Sequence, residues 1–558
     1  MNQLSFLPGN YMNNRTLKQI VFLLLISIAG TGAYFLYQNQ KQLFDSLKSV
    51  IETLEHVKQP QKEVHVVEKV VTQQPWAGVK NLIKDTVVRV IAQTAETNLL
   101  QPYRTPKQGG GFGTGFLINS DGYIVTNHHV IDEAQAIWIK IPSLGKAIID
   151  VELVGTSPER DLALLRIKPE GLKQVKAFLG DVPHLELGDS DLVQRSDEVL
   201  ALGYPLGDTQ TSIKSTSGVV SGREHIGGRY LIQISAPINP GSSGGPAINL
   251  DGRVIGVTCA GVPGAQNVGY IIPINEFKMI FGDLQKKTVI RRPFLGVLFN
   301  NGSDELAEYL NNPVPGGCYV VDVYSGSPLS KAGVKAGDMI YEINGHSVDN
   351  YGDLNVPWSE DRVSVTDYVS RLEIGQEIKV LLYREGKQKL LNFKFDFSEL
   401  LPVHKIFPGY DPIEYEIFGG MLLQQLRLNH LPVLINNSPS LAKYMEFENQ
   451  INPALIVTHV VPNSPVQRLE LLREGSVISE VNGKNVTTLD ELRTEIRNAS
   501  KKDFITFKTT EGVFFVLSPQ KILEDERRLA KIYHYPITPF MNEVLDKYGQ
   551  DEKSNIKN

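Results

Sequence analysis

A serine in a run of glycines, with an apolar run on either side, is what a nucleophile needs. INPGSSGGPAINLDGRVIGV, Ile238 to Val257, supplies one in Ser243. Glycine neighbours leave room for an incoming carbonyl, and free backbone N–H groups can point at a developing oxyanion. Taken alone, GSSGG is equally compatible with an ordinary turn between two strands. Two residues upstream change that balance: His129 in GYIVTNHHVI and Asp161 in ERDLALLRI. Together they supply acyl-transfer chemistry, in which Ser243 attacks a carbonyl and His129 takes its proton and returns it to the leaving amine. Asp161 fixes the imidazole tautomer and stabilises the imidazolium. The chain order His, Asp, Ser places base and carboxylate early in one region and the nucleophile late in it, as a cleft between two barrels requires.

The elements that must hold these residues are short. From about Val79 to Ile280 the chain reads as brief strands: GFGTGFLI, GYIVTN, AIWIKI, LALLRI, EVLALGY, YLIQIS, PAINL, RVIGVT and GYIIPI. Each is β-branched or aliphatic and bounded by Gly, Asp, Asn or Pro, the texture of an all-β double barrel or sandwich. A second texture begins near Phe294 and repeats. GDMIYEINGHSV, Gly337 to Val348, is echoed by GSVISEVNGKNV, Gly475 to Val486, and each copy follows a Ser-Pro pair, Ser327-Pro328 and Ser464-Pro465. The chain therefore carries a duplicated module. After about Leu523 the sequence predicts a helix, Lys521 to Tyr533, and then a disordered polar tail.

With GTGFLI, GYIVTNHHV, DLALL, INPGSSGGP, LDGRVIGV, NVGYIIP and RPFLGV in view, the sequence resembles the high-temperature-requirement (HtrA/Deg) serine proteases from about Gly109 to Gly345, and less closely to about Leu523. The resemblance implies a mainly β fold: a chymotrypsin-like double β-barrel protease domain followed by two PDZ-like α+β domains. It selects His129 over His128, whose position commonly holds asparagine or alanine in the family, and leaves His128 as a surface or barrel-packing residue. Ser242 stands where asparagine is usual. The backbone N–H groups of Gly241 and Ser243 would form the oxyanion hole, on a loop around Pro240 that switches between inactive and active forms in the family. Ile238 would line the primary specificity pocket. No Asp or Glu stands in the run leading to Ser243, so cleavage is expected after small or medium apolar residues. The duplicated modules resemble PDZ domains, in which a peptide C-terminus adds as a strand to a sheet edge. Phe294, Leu295, Gly296 and Val297 match the carboxylate-binding loop of the first. In the second the matching stretch is IFGGMLLQQL, Ile417 to Leu426, whose extra bulk argues against peptide capture. Insertions around Asp349 to Thr366 resemble those of the divergent plant-type Deg proteins. By resemblance the function is that of a serine endopeptidase of extracytoplasmic quality control, acting on misfolded or signal-bearing polypeptides as a homotrimer or a multiple of it. A non-proteolytic, peptide-binding chaperone is the alternative.

Length and composition set the frame. At 558 residues, 42% apolar and 21% charged, the chain is too long for one hydrophobic core, and about three or four folded units are expected. With 56 basic against 62 acidic residues the net charge of −6 creates no field that would recruit nucleic acid. Two cysteines, Cys259 and Cys318, in different expected domains make no disulfide framework, and no residue pattern calls for a metal or cofactor. Ile20 to Tyr37 is an uncharged apolar run near the length of a bilayer core, with Arg15 and Lys18 before it. It is expected to be an uncleaved anchor with a cytoplasmic N-terminus and the catalytic part translocated, on the periplasmic face of the inner membrane if bacterial. A signal peptide cut near Thr31 and Ala33 is the alternative. Beyond it, Leu43, Leu47, Val50, Leu54 and Val57 form one helical stripe, either a short oligomerising stalk or a helix lying on the membrane or the next domain. The expected organisation is a cytoplasmic N-terminus over 1–19, a transmembrane anchor over 20–37, and a helical stalk and linker over 38–75. The protease domain follows over 76–285, PDZ domains over 286–400 and 401–522, and a helix with a tail over 523–558.

Overall fold

The computed structural model describes residues 41–42, 45–49, 76, 78–79, 82–205, 212–261, 267–396, 399–500 and 502–555. The chain divides into two units, Met1–Gln74 and Pro75–Asn558. In the first, the described residues 41–42 and 45–49 are helical, with Leu47 exposed. The expected anchor Ile20–Tyr37 and the stripe residues Leu43, Val50, Leu54 and Val57 lie outside the described residues. Among the described residues no helix is long and apolar enough to cross a membrane.

The second unit begins with two closed barrels of six strands. The first comprises β1 (Val87–Glu96), β2 (Lys107–Leu117), β3 (Tyr123–Thr126), β4 (Ala134–Lys140), β5 (Ile149–Ser157) and β6 (Leu162–Ile167), in the order β1-β2-β3-β6-β5-β4. The second comprises β7 (Glu198–Gly203), β8 (Lys214–Ile226), β9 (Arg229–Ile234), β10 (Pro246–Ile248), β11 (Val254–Gly261) and β12 (Gly269–Pro273), in the order β10-β11-β12-β9-β8-β7. Successive side chains of a strand point to opposite faces, and these strands use both. Val88, Val90, Leu117, Ile124 and Leu165 fill the first barrel. Their neighbours Val87, Phe116, Val125 and Leu164 join Leu202, Val257, Ile272 and Phe277 in a cluster shared with the second barrel. Burying such side chains is worth about 1.5–3 kcal/mol each, so the two barrels are joined by core rather than by a linker. That joint makes the cleft between them a fixed place.

The two later modules follow one plan. The first has β13 (Val297–Asn300), β14 (Cys318–Val323), β15 (Met339–Ile343), β16 (His346–Ser347), β17 (Asp353–Leu354), β18 (Val363–Ser364), β19 (Glu377–Arg384) and β20 (Lys387–Lys394), with the sheet path β13-β14-β15-β19-β20. The second has β21 (Tyr415–Phe418), β22 (Met421–Gln425), β23 (Leu455–Val460), β24 (Val477–Val481), β25 (Lys484–Asn485), β26 (Ile505–Thr509) and β27 (Phe514–Leu517), with the path β21-β22-β23-β24-β26-β27. Gly296 and Gly420 fix the correspondence. Both have positive φ, +72° and +90°, and a Cβ on either would lie 2.1 Å from the Cβ of Ser327 or Ser464. Each carbonyl accepts the N–H of the turn after the next strand, Tyr324 or Val461. β22 is thus the counterpart of β13, and β21 has no counterpart.

The disordered tail expected after Tyr533 is corrected. Pro519–Tyr533 is helical, and a second helix runs from Pro539 to Asn555. Phe540, Met541, Val544 and Leu545 of that helix, with Ile522 and Leu523 of the first, complete the core of the second module around Phe418, Leu423 and Phe507. This module also grips the protease domain. Tyr103, from the segment between β1 and β2, packs against Tyr415 and Tyr535 with ring centroids 6.2 and 6.0 Å away, and Gln424 Nε2 donates to the Leu99 carbonyl at 2.8 Å. Cys259 and Cys318 are both buried, and neither forms a disulfide.

Candidate active site

Strand pairing brings His129 to Asp161. β3 and β6 are antiparallel neighbours with Thr126 opposite Ala163, so the residues leaving β3 meet those entering β6. Asn127 closes the junction by donating from Nδ2 to the Asp161 carbonyl at 2.9 Å. Asp161 has a left-handed backbone, φ +59°, at the end of a turn from Ser157 and Pro158. Its carboxylate Oδ1 accepts the backbone N–H of His129 at 3.0 Å, and His129 Nδ1 lies 2.9 Å from both oxygens. The aspartate side chain is 12% exposed and that of His129 48%, so the ring stands at the surface on a buried anion. Burial alone would push the Asp161 carboxyl up. The hydrogen bonds and charge of His129, with the charge of Arg229, outweigh it and hold the group below its ordinary value.

The neighbouring His128 is turned away. Its ring is buried, with Nδ1 3.0 Å from Thr156 Oγ1, Nε2 3.3 Å from Asp132 and an edge contact to Phe407 of the second module. It packs the barrel, as expected.

The Ser243 turn belongs to the second barrel but is tied to the first. Thr114, on β2, donates its N–H to the Ser243 carbonyl at 2.8 Å and its hydroxyl to the Gly241 carbonyl at 2.8 Å. Thr258, on β11, holds the Ser242 carbonyl at 2.5 Å. The tie demands glycine at 244, where φ is +86° and a Cβ would lie 2.1 Å from the Thr114 carbonyl oxygen. Gly241 also has positive φ, +96°. Among the described residues the N–H groups of Gly241 and Ser243 have no acceptor, the condition for binding an oxyanion. Ser243 Oγ donates to the Cys259 carbonyl at 3.3 Å, and no hydrogen bond joins it to His129 in this conformation. Ile238 is half-buried against the core of the second barrel, and Gly269 faces it: a Cβ there would lie 2.6 Å from Ile238 Cγ1.

One partner of the site was not foreseen from the sequence. Arg229, the first residue of β9, places Nη1 2.9 Å from Asp161 Oδ2. An arginine after two glycines carries no signal of that contact, because the contact arises from where the β8–β9 hairpin folds over the first barrel.

In the first module, Leu295 and Val297 are buried, Phe294 is half-buried against Phe447 at 5.7 Å, and the N–H groups of Phe294, Leu295 and Gly296 have no acceptor among the described residues. β13 is an edge strand with one side open. In the second module the equivalent edge is covered, since β21 pairs along β22 from Tyr415↔Gln424 to Phe418↔Met421.

Two closed barrels with histidine, aspartate and serine gathered at their joint define the class of trypsin-like serine peptidases. Comparison with known proteins agrees: residues 113–257 match the trypsin-like peptidase domain, and 293–395 and 441–509 each match the PDZ domain. A protein of Hahella chejuensis named as a probable periplasmic serine endoprotease, DegP-like, is 32% identical over 399 residues, covering 70% of this chain and 76% of its own. A protein of the same description from Marinomonas is 29% identical over 431 residues, covering 75% and 81%. Among solved structures, the HtrA-type protease AlgW with a decapeptide is 25% identical, covers 58% of this chain and 99% of its own, and has a TM-score of 0.45. The chain belongs to the HtrA/DegP-type serine proteases and is a serine endopeptidase with two PDZ domains.

Proposed function

We propose that Ser243 is the nucleophile, His129 the general base and acid, and Asp161 the residue that orients and stabilises the imidazolium. The observation that supports this most is the 2.9 Å contact of His129 Nδ1 with a buried carboxylate beside a serine turn tied to the same barrel by Thr114. In this reading Ser243 Oγ leaves the Cys259 carbonyl, turns to His129 and passes its proton there as it attacks. The N–H groups of Gly241 and Ser243 receive the oxyanion, and an acyl-enzyme forms and is hydrolysed. Ser243→Ala, His129→Ala and Asp161→Asn are each expected to lower casein hydrolysis by about 10³-fold or more. Wild-type rates in Ser243→Ala would sink the assignment.

The wider reading rests on the family. Ile238, over a glycine, fits a pocket for small or medium apolar side chains. Phe294, Leu295, Gly296 and Val297, at an open sheet edge where the first three N–H groups have no acceptor among the described residues, fit a receptor for peptide C-termini, and misfolded or signal-bearing polypeptides are the substrates. The catalytic part works outside the cytoplasm, as the relatives' names state of them, held by Ile20–Tyr37 as a single-pass anchor. A mature chain beginning at Tyr34 in the soluble fraction would replace the anchor with a cleaved signal. A trimer, or a multiple of it, is the assembly, and a monomer in sedimentation of the translocated part, with and without residues 41–58, would remove it.

A further inference from the structure

We propose that Arg229 is a positioning residue of the catalytic site: it holds the Asp161 carboxylate in the orientation His129 needs. The inference rests on the triad assigned above and adds a fourth member to it.

The geometry divides the carboxylate. Oδ1 is held by the backbone N–H of His129 at 3.0 Å and Oδ2 by the Arg229 guanidinium at 2.9 Å, while His129 Nδ1 reaches both. With both oxygens tied to fixed groups, the carboxylate plane cannot swing away from the imidazole. Arg229 is itself held on a rigid support. It flanks a two-residue turn, Gly227-Gly228, with φ +56° and +76°, opposite Ile226, and its side chain is 22% exposed. The Gly228 carbonyl accepts from Arg292. His225 Nδ1 lies 2.7 Å from Asp367 Oδ2, and Tyr230 OH 2.9 Å from Ser359 Oγ, both partners lying in the first PDZ module.

The other charges around the site are engaged elsewhere. On the histidine turn His128 faces Asp132 at 3.3 Å. On the turn before Asp161, Glu159 accepts from Arg292 and lies 4.0 Å from Arg291, and Arg160 reaches Glu276 at 3.4 Å. On the hairpin, Glu224 accepts from Tyr270 and His225 is paired as above. Arg229 is therefore the cation that sits on the triad carboxylate itself.

One consequence follows from this geometry. Loss of the tie frees the carboxylate to rotate, which lowers the rate of the chemical step rather than substrate affinity.

The test is the measurement of kcat and KM separately for a chromogenic peptide in the full chain, comparing wild type with Arg229→Gln and Arg229→Lys. In Arg229→Gln kcat is expected to fall about tenfold with KM unchanged. Arg229→Lys restores only part of kcat, because a single ammonium keeps the charge and not the planar geometry. Fluorophosphonate labelling at pH 8.5 shows that the variant is folded at its site. A labelled Arg229→Gln protein with wild-type kcat would overturn the role of Arg229 and leave the triad standing. Undiminished hydrolysis by Ser243→Ala would instead overturn the triad, and the role of Arg229 with it.

Discussion

Glu526 offers the most quantitative test of how the second PDZ module is held together. It lies on the helix Pro519–Tyr533, 1% exposed, with Oε1 accepting the Tyr535 hydroxyl at 2.8 Å and Oε2 without a hydrogen-bond partner. Burial pushes its carboxyl up to about 7 from 4.5, and the Tyr535 bond offsets only part of that. The folded value lies above the unfolded one. The group's contribution to stability is therefore fully present below about pH 4.5 and is lost as the pH rises through about 7. At about 1.4 kcal/mol per pH unit, the gap between 4.5 and about 7 is worth up to about 3 kcal/mol. Glu526→Gln keeps the shape and the acceptor for Tyr535 but cannot ionise. It should match the parent at pH 4.5 and exceed it by up to about 3 kcal/mol at pH 8.5. Hydrogen exchange of the amides of Pro519–Tyr533, corrected for intrinsic rates and measured in the Ser243→Ala background, reads this module rather than the whole chain. Equal protection in the two proteins at both pH values would refute the reasoning. The outcome also bears on the protease domain, because Tyr535 supports the ring of Tyr103.

Two further outcomes follow from backbone geometry. Gly244→Ala should abolish hydrolysis and fluorophosphonate labelling, because its Cβ would meet the Thr114 carbonyl at 2.1 Å on a residue with φ +86°, breaking the tie between barrels. A C-terminal peptide titrated calorimetrically into Ser243→Ala protein should bind one per chain and be lost in Leu298→Pro, which spoils the edge strand β13. Binding at a second site would contradict the closed edge of β22.

The site was more legible in the sequence than its supports. His129, Asp161 and Ser243 stand in segments whose glycines and flanking apolar runs are local signals, and the structure brings all three segments to the joint of the barrels. β8 was missed because most of its residues are exposed or half-buried, so no alternation marks it. It forms a strand by pairing with β7 and β9, which sequence alone does not reveal. Arg229 was missed for the same reason, since its partner is set by a tertiary fold. In the second module, the stretch Ile417 to Leu426 reads as the match to the carboxylate loop, with extra bulk that argues against peptide capture. It is a hairpin that turns back on the very edge a peptide would use. The last helix was hidden by its polar end, although Phe540, Met541, Val544 and Leu545 lie on one stripe.

The central claim, that Ser243 rather than its neighbour Ser242 is the nucleophile, is tested most directly by fluorophosphonate labelling of the full chain followed by peptide mapping. The account predicts the adduct on Ser243, its persistence in Ser242→Ala and its absence in Ser243→Ala. An adduct on Ser242, or labelling and hydrolysis that survive in Ser243→Ala, would contradict it.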